Sequence, residues 1–186
     1  SEVLAGEGDF LTQLFTGKFE IPAKKIALHK VIELATFPEI SGAKTRERTD
    51  WFDSYLTTIL QRDVRMLSEI EKIAMLPNLL RLLAARAGKL MNDADIARDL
   101  GLNPVTSKSY RGILHAMFLA FDVLPWYRNI GKRLVKSPKG FLIDTLLLCH
   151  LLDFRLEEIC ERRPELYGFV IENFVATELI KLLSFS

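Results

Sequence analysis

The sequence predicts a mainly α-helical protein containing a winged helix-turn-helix with a small β-hairpin, flanked by helical segments. Three observations predict it. Apolar residues recur at helical spacing over most of the 186 residues. The stretch from Asp93 to Tyr110 carries the small-residue and glycine spacing of two helices joined by a sharp turn. After Asp122 the pattern shifts to short β-leaning runs around a glycine.

The first helical pattern runs from Asp9 to Phe15 and is broken by Gly17 and Pro22. A shorter one covers residues 26–34, punctuated by Phe37-Pro38-Glu39 and Ser41-Gly42. A longer helix follows over about 47–61, with Trp51, Tyr55, Leu56, Ile59 and Leu60 on one side as packing residues. Ser68 and Glu71 form a capping box. Pro77 suits the first turn of a helix over 78–87, and Gly88 closes it.

Residues 93–100 form the next short helix, ending at Gly101. Ala97 is small enough for two helices to approach, and Gly101 supplies the left-handed backbone of the turn over 101–104. Leu100 and Leu102 fill the angle between the helices. The second helix starts at Pro104 or Val105 and runs to about Phe121, polar at first and then apolar. That profile suits a helix whose first turns face a groove while the rest is buried. The wing is predicted as strands 123–127 and 133–136 with the turn at Arg128–Lys132, and 141–143 as a third short strand. Helices over 144–152, 156–162 and 168–183 complete the chain.

Charge is informative only locally. Lys+Arg is 25 and Asp+Glu is 24, so the whole chain selects no partner. Between Asp122 and Asp144, however, there is no acid and there are five bases: Arg128, Lys132, Arg133, Lys136 and Lys139. A basic hairpin following a helix-turn-helix can lie along a phosphate backbone. With Lys108 and Arg111 from the second helix, the candidate nucleic-acid contacts are Lys108, Arg111, Arg128, Lys132, Arg133 and Lys136. Trp126 reads as a core plug at the base of the wing, and His115 as a buried, satisfied histidine. Cys149 reads as a small core residue; it and Cys160 have no zinc-ligand spacing with His29, His115 or His150. No secretory leader and no membrane-spanning run is expected, and a reducing, cytoplasmic location fits the cysteine usage.

A longer series of motifs carries a resemblance. Phe37-Pro38-Glu39, Trp51-Phe52-Asp53-Ser54-Tyr55-Leu56 and Gln61-Arg62-Asp63-Val64 occur in order. Leu124-Pro125-Trp126-Tyr127-Arg128-Asn129 follows, then Lys132-Arg133-Leu134-Val135-Lys136-Ser137-Pro138-Lys139, then Asp144-Thr145, and finally residues 168–179. The series resembles the C-terminal half of a prokaryotic family of AAA-type ATPases, in which a P-loop module precedes a winged helix and a restriction-endonuclease-like domain of unknown function. The resemblance implies that residues 1–45 are the helical tail of the ATPase and lid region. It makes 46–143 the winged-helix domain with its leading helix, and 144–186 the helical start of a truncated nuclease-like domain. Both ends of the chain then read as cuts within a larger protein. ATP and Mg²⁺ are implied for the parent protein, and no cofactor for this chain. Glu172 matches an acid that can help hold a metal in nuclease-type relatives, but its plainer role is that of an acid near a helix N-terminus. At Leu146 the sequence departs from the family, where a Gly commonly follows Asp-Thr.

These readings leave three functions open. The chain is a regulatory module contacting double-stranded DNA non-specifically, a protein-interaction module docking on the ATPase or a partner, or a nuclease-like remnant. Oligomeric state is open in each. Gly17-Lys18 is followed by Phe19 and preceded by Thr12 where a P-loop needs its first Gly, so the phosphate cradle G-x-x-x-x-G-K-[ST] is missing. Calorimetric titration with ATP and Mg²⁺ should accordingly show no binding in the micromolar range.

Overall fold

The computed structural model describes residues 10–18, 26–60, 73–129, 131 and 136–184. Among them, helices α1 (Phe10–Thr16), α2 (Leu28–Leu34) and α3 (Thr45–Thr58) lead to α4 (Leu76–Ala85), which has Pro77 in its first turn. Then come α5 (Asp93–Leu100), α6 (Pro104–Ala116), strands β1 (Ala120–Val123) and β2 (Lys139–Leu142), and α7 (Thr145–Leu151), α8 (Leu156–Arg162) and α9 (Pro164–Ser184). The fold is mainly α-helical with one small antiparallel sheet. The Ser68 capping box lies outside the described residues.

Local chemistry sets the helix-turn-helix. Asn92 caps α5, its side chain accepting from the Ala94 N–H at 2.9 Å, and Asn103 caps α6, accepting from the Thr106 N–H at 2.8 Å. Gly101 closes α5 at φ 64°, where a side chain would be strained. Ala97 and Ile96 are buried against α6. Leu100 and Leu102 pack against the core from the turn.

The wing differs from the sequence expectation. Helix α6 stops at Ala116, because Phe118 takes a positive φ of 54° and the Leu119 N–H turns back to the Leu114 carbonyl at 2.9 Å. The strands are accordingly Ala120–Val123 and Lys139–Leu142, paired Ala120↔Leu142 through Val123↔Lys139. Burial decides this register. Leu119, Ala120, Phe141 and Leu142 are buried, and Phe121 stacks on Phe141 with ring centroids 5.6 Å apart. Pro125 and Pro138, which lack N–H donors, bound the ladder. The strand predicted over 141–143 overlaps β2, residues 133–135 of the predicted strand before it lie outside the described residues, and an edge segment at 88–91 was not foreseen. The Gly88 N–H donates to the Gly140 carbonyl at 2.9 Å, the Gly140 N–H to the Lys89 carbonyl, and the Met91 N–H to the Pro138 carbonyl. This gives helix α4, edge segment, α5, α6 and two strands: the order of a winged helix. The wing is the segment between β1 and β2, of which residues 124–129, 131 and 136–138 are described.

One apolar core runs from Ile32 and Phe52 through Leu76, Leu79, Leu80, Leu114 and Leu147 to Val170 and Phe174. Trp51 and Tyr55 pack on Phe37 as expected, with ring centroids 5.1 and 5.0 Å from it. Cys149 is buried, as its sequence context indicated. Asp144 caps α7, accepting from the Leu147 N–H at 2.8 Å, and Leu146 is buried in the first turn of that helix.

Asn173 ties α9 to the sheet. Its Oδ1 accepts from the Leu142 N–H at 2.9 Å, and its Nδ2 donates to the Leu142 carbonyl and to Thr145 Oγ1, each at 3.2 Å. All four groups are buried. Asn173→Ala strands the Leu142 N–H without water, which costs about 1–3 kcal/mol. Urea unfolding should show that loss, with the slope unchanged.

Candidate nucleic-acid interface on the winged helix

The six candidate contacts separate into three groups. Lys108 in α6, and Arg128 and Lys136 in the wing, are exposed, and none has an ion-pair partner among the described residues. Lys132 and Arg133 lie outside the described residues. Arg111 is not a surface cation at all.

Arg111 is only 8% exposed. Its Nε and Nη2 donate to the two carboxylate oxygens of Asp93 at 2.9 and 3.2 Å, and its Nη1 donates to Asp122. Burial pulls the guanidinium pKa down, but Asp93 and Asp122 outweigh it and hold the value above its ordinary one. The sequence reading placed Arg111 on the outer face of α6. The correction is that α6 turns this position inward, where a buried charge must be paired. His115, one turn on, is half-buried, with Nε2 3.6 Å from Asp122. Burial pushes it below its ordinary pKa against the pull of Asp122, with Arg111 adding to the downward shift.

The basic stretch is also smaller than its composition suggests. Lys139 donates to Glu172 on α9. Glu172 does not sit near a helix N-terminus, since α9 begins at Pro164; it is the partner of Lys139 and lies against Gly88. Its neighbour is a cation rather than a second carboxylate, an arrangement that suits an ion pair and not a metal. On α5, Arg98 pairs with Asp95, and Asp99 with Arg86.

Trp126 is 76% exposed, not a core plug. Leu124 is 54% exposed and Tyr127 borders on exposed. The sequence signal for this was Pro125, which removes a ladder donor just beyond β1 and leaves the following residues outside the sheet.

A second feature escaped the sequence. An open groove of about 1140 Å³ lies between α3, α4, α7 and α8. His150 sits on its wall, stacked on Phe52 with Nε2 3.1 Å from Asp53 Oδ1. Arg46, Arg81 and Arg155 line it together with Asp50, Asp153 and Glu157, so it favours neither charge. Near α7, burial pushes the Asp144 carboxyl above its ordinary pKa, against the Leu147 N–H, the Thr36 hydroxyl and Lys181. No helix among the described residues is long and apolar enough to cross a membrane.

Arg111→Ala leaves Asp93 and Asp122 facing each other without their cation. The expected cost is about 2–3 kcal/mol, below the ~3–5 kcal/mol of a fully buried pair because both acids keep some solvent. Thermal unfolding of this variant beside Lys108→Ala, expected within ~0.5 kcal/mol of wild type, separates the structural arginine from the surface lysine.

The family described as "Domain of unknown function (DUF8612)" matches residues 26–158, from just before α2 into α8. An uncharacterized protein of Mycobacterium bovis and one of Mycobacterium tuberculosis are each 33% identical to the chain over 147 residues, covering 79% of it and 33% of their own length. The chain thus spans about a third of these relatives. No solved structure matches it. With the greater part of its length matched, the winged helix included, the chain belongs to the DUF8612 family.

Proposed function

We propose that this chain is a nucleic-acid-contacting, regulatory module of a larger prokaryotic AAA-type ATPase, working in the cytoplasm, and that its wing engages phosphates without sequence preference. The observation that carries the reading is the set of exposed cations Lys108, Arg128 and Lys136, without ion-pair partners among the described residues, on a winged helix whose segment 123–143 holds no acid. Phosphate contacts of this kind position a protein on DNA without reading bases. The order of motifs from Phe37-Pro38-Glu39 to the last helix supports the ATPase context. ATP and Mg²⁺ belong on this reading to a module outside the chain. The residues present do not fit them: Gly17, at φ 67°, closes the C-terminal end of α1, which presents carbonyls and not the N–H groups a phosphate requires.

A second reading is docking onto protein, either the ATPase module or another partner. It is favoured by the exposed apolar Val105 and Phe118 at the two ends of α6, a helix in which Arg111 contributes no surface charge.

Fluorescence anisotropy with a labelled duplex across a salt series tests the first reading. Binding should be weak, about 10⁻⁴–10⁻⁶ M near physiological salt, and should fall steeply as salt rises. Changing Lys108, Arg128 and Lys136 together to Ala should flatten the salt slope by about three, one for each phosphate released. Absence of binding at low salt, or an unchanged slope in the triple variant, favours protein docking instead.

A further inference from the structure

We propose that Trp126 is a base-stacking residue, and that the wing takes single-stranded or unpaired nucleotides in preference to an intact duplex. The inference deepens the nucleic-acid reading and rests on it.

The indole is placed by the ladder. Pairing ends at Val123↔Lys139, and Pro125 has no N–H with which to extend it. The chain beyond leaves the sheet with exposure alternating along it: Leu124 out, Pro125 half-covered, Trp126 furthest out. A tryptophan offers 150–250 Å² of mostly apolar surface and is ordinarily well covered. Here most of it faces water, in a segment whose exposed charges are cations only.

Charge complementarity selects the occupant. Residues 123–143 carry no acid, and the one base at the foot of the wing, Lys139, is neutralised by Glu172. Of the other bases in the segment, the described ones, Arg128 two residues from the ring and Lys136, are exposed and have no ion-pair partner among the described residues. An aromatic face flanked by cations is the chemistry of a strand-binding platform: the bases stack on the ring while the phosphates meet the charges. A duplex offers only base edges and phosphates, because its base faces are stacked on one another. Phosphate contacts would use Arg128 and Lys136 on either substrate. Only unpaired bases use Trp126.

The test compares a twelve-residue oligothymidine with a duplex of the same length, by anisotropy at low salt, for wild type, Trp126→Ala and Trp126→Phe. The intrinsic fluorescence of a Trp51→Phe variant, in which Trp126 is the one tryptophan left, is followed in parallel. The expected result is that Trp126→Ala weakens oligothymidine binding about tenfold, equivalent to ~1.4 kcal/mol, and changes duplex binding less than twofold. Trp126→Phe should recover most of the loss, and oligothymidine should quench the Trp126 emission. Salt-dependent binding of both DNAs with no effect of Trp126→Ala overturns the stacking role and leaves the nucleic-acid reading standing. An equal loss on both DNAs overturns it as well, because a structural defect then explains the variant. Binding of neither DNA by the wild-type chain overturns both readings and assigns the exposed ring to a protein partner.

Discussion

The Arg111 guanidinium joins three elements that are distant in sequence: the first turn of α5 through Asp93, α6 itself, and β1 through Asp122. A charge this buried is tolerable only when fully paired, so the arrangement specifies geometry as much as it adds stability. The two-pronged contact with Asp93 sets how α6 crosses α5. The contact with Asp122 fixes where the chain leaves α6 and enters the sheet, and hence where the wing begins. Two acids for one arginine leave the cluster negative on balance, with His115 half-buried beside it. The interior of the helix-turn-helix thus consumes the cation that a groove-reading helix would have displayed.

A second tie is made at the other strand, β2. Asn173 pairs with both backbone groups of Leu142, Thr177 donates to the same Leu142 carbonyl, and Glu172 holds Lys139. Lys89, in the segment that pairs with β2, lies over the Phe169 ring at 5.1 Å. Helix α9 is therefore a buttress for the foot of the wing. The sheet is thus held from α6 through Asp122 on β1 and from α9 through Leu142 and Lys139 on β2, and the β1–β2 pairing ends at Val123↔Lys139.

What the sequence revealed and what it hid follow from the range of the interactions. The bounds of α5, the start of α6 at Pro104, the Gly101 turn and the helix over 156–162 were legible because proline, left-handed glycine and helical apolar spacing act within a few residues. The first strand begins three residues earlier than predicted because its register is set by burial of Leu119, Ala120 and Phe141 and by an edge segment around Leu90; the predicted strand over 141–143 overlaps β2, and residues 133–135 of the predicted strand between them lie outside the described residues. Arg111 was misplaced for a similar reason: its partners are 18 and 11 residues away, and helical spacing alone does not show which face a flanking strand will cover. Trp126 was assigned to the core on residue type, against the local signal of Pro125. The groove beside His150 brings together α3 and α7, and its Asp53 partner lies 97 residues away, beyond any local pattern.

These features together shift the electrostatics of the winged helix away from its second helix, α6. Of the cations predicted for the second helix, Lys108 remains at the surface, and it stands beside an α5 that carries Asp93, Asp95 and Asp99. Arg98 and Arg86 offset two of those acids, and Arg111 the third only while shared with Asp122. On the proposed reading, a duplex laid lengthwise along α6 gains little from it, whereas a strand crossing the wing meets Arg128, Lys136 and the indole without an acid in between. The burial of Arg111 and the exposure of Trp126 then have one consequence: the first removes charge from the helix that would read a groove, and the second adds a stacking surface where the remaining charge lies.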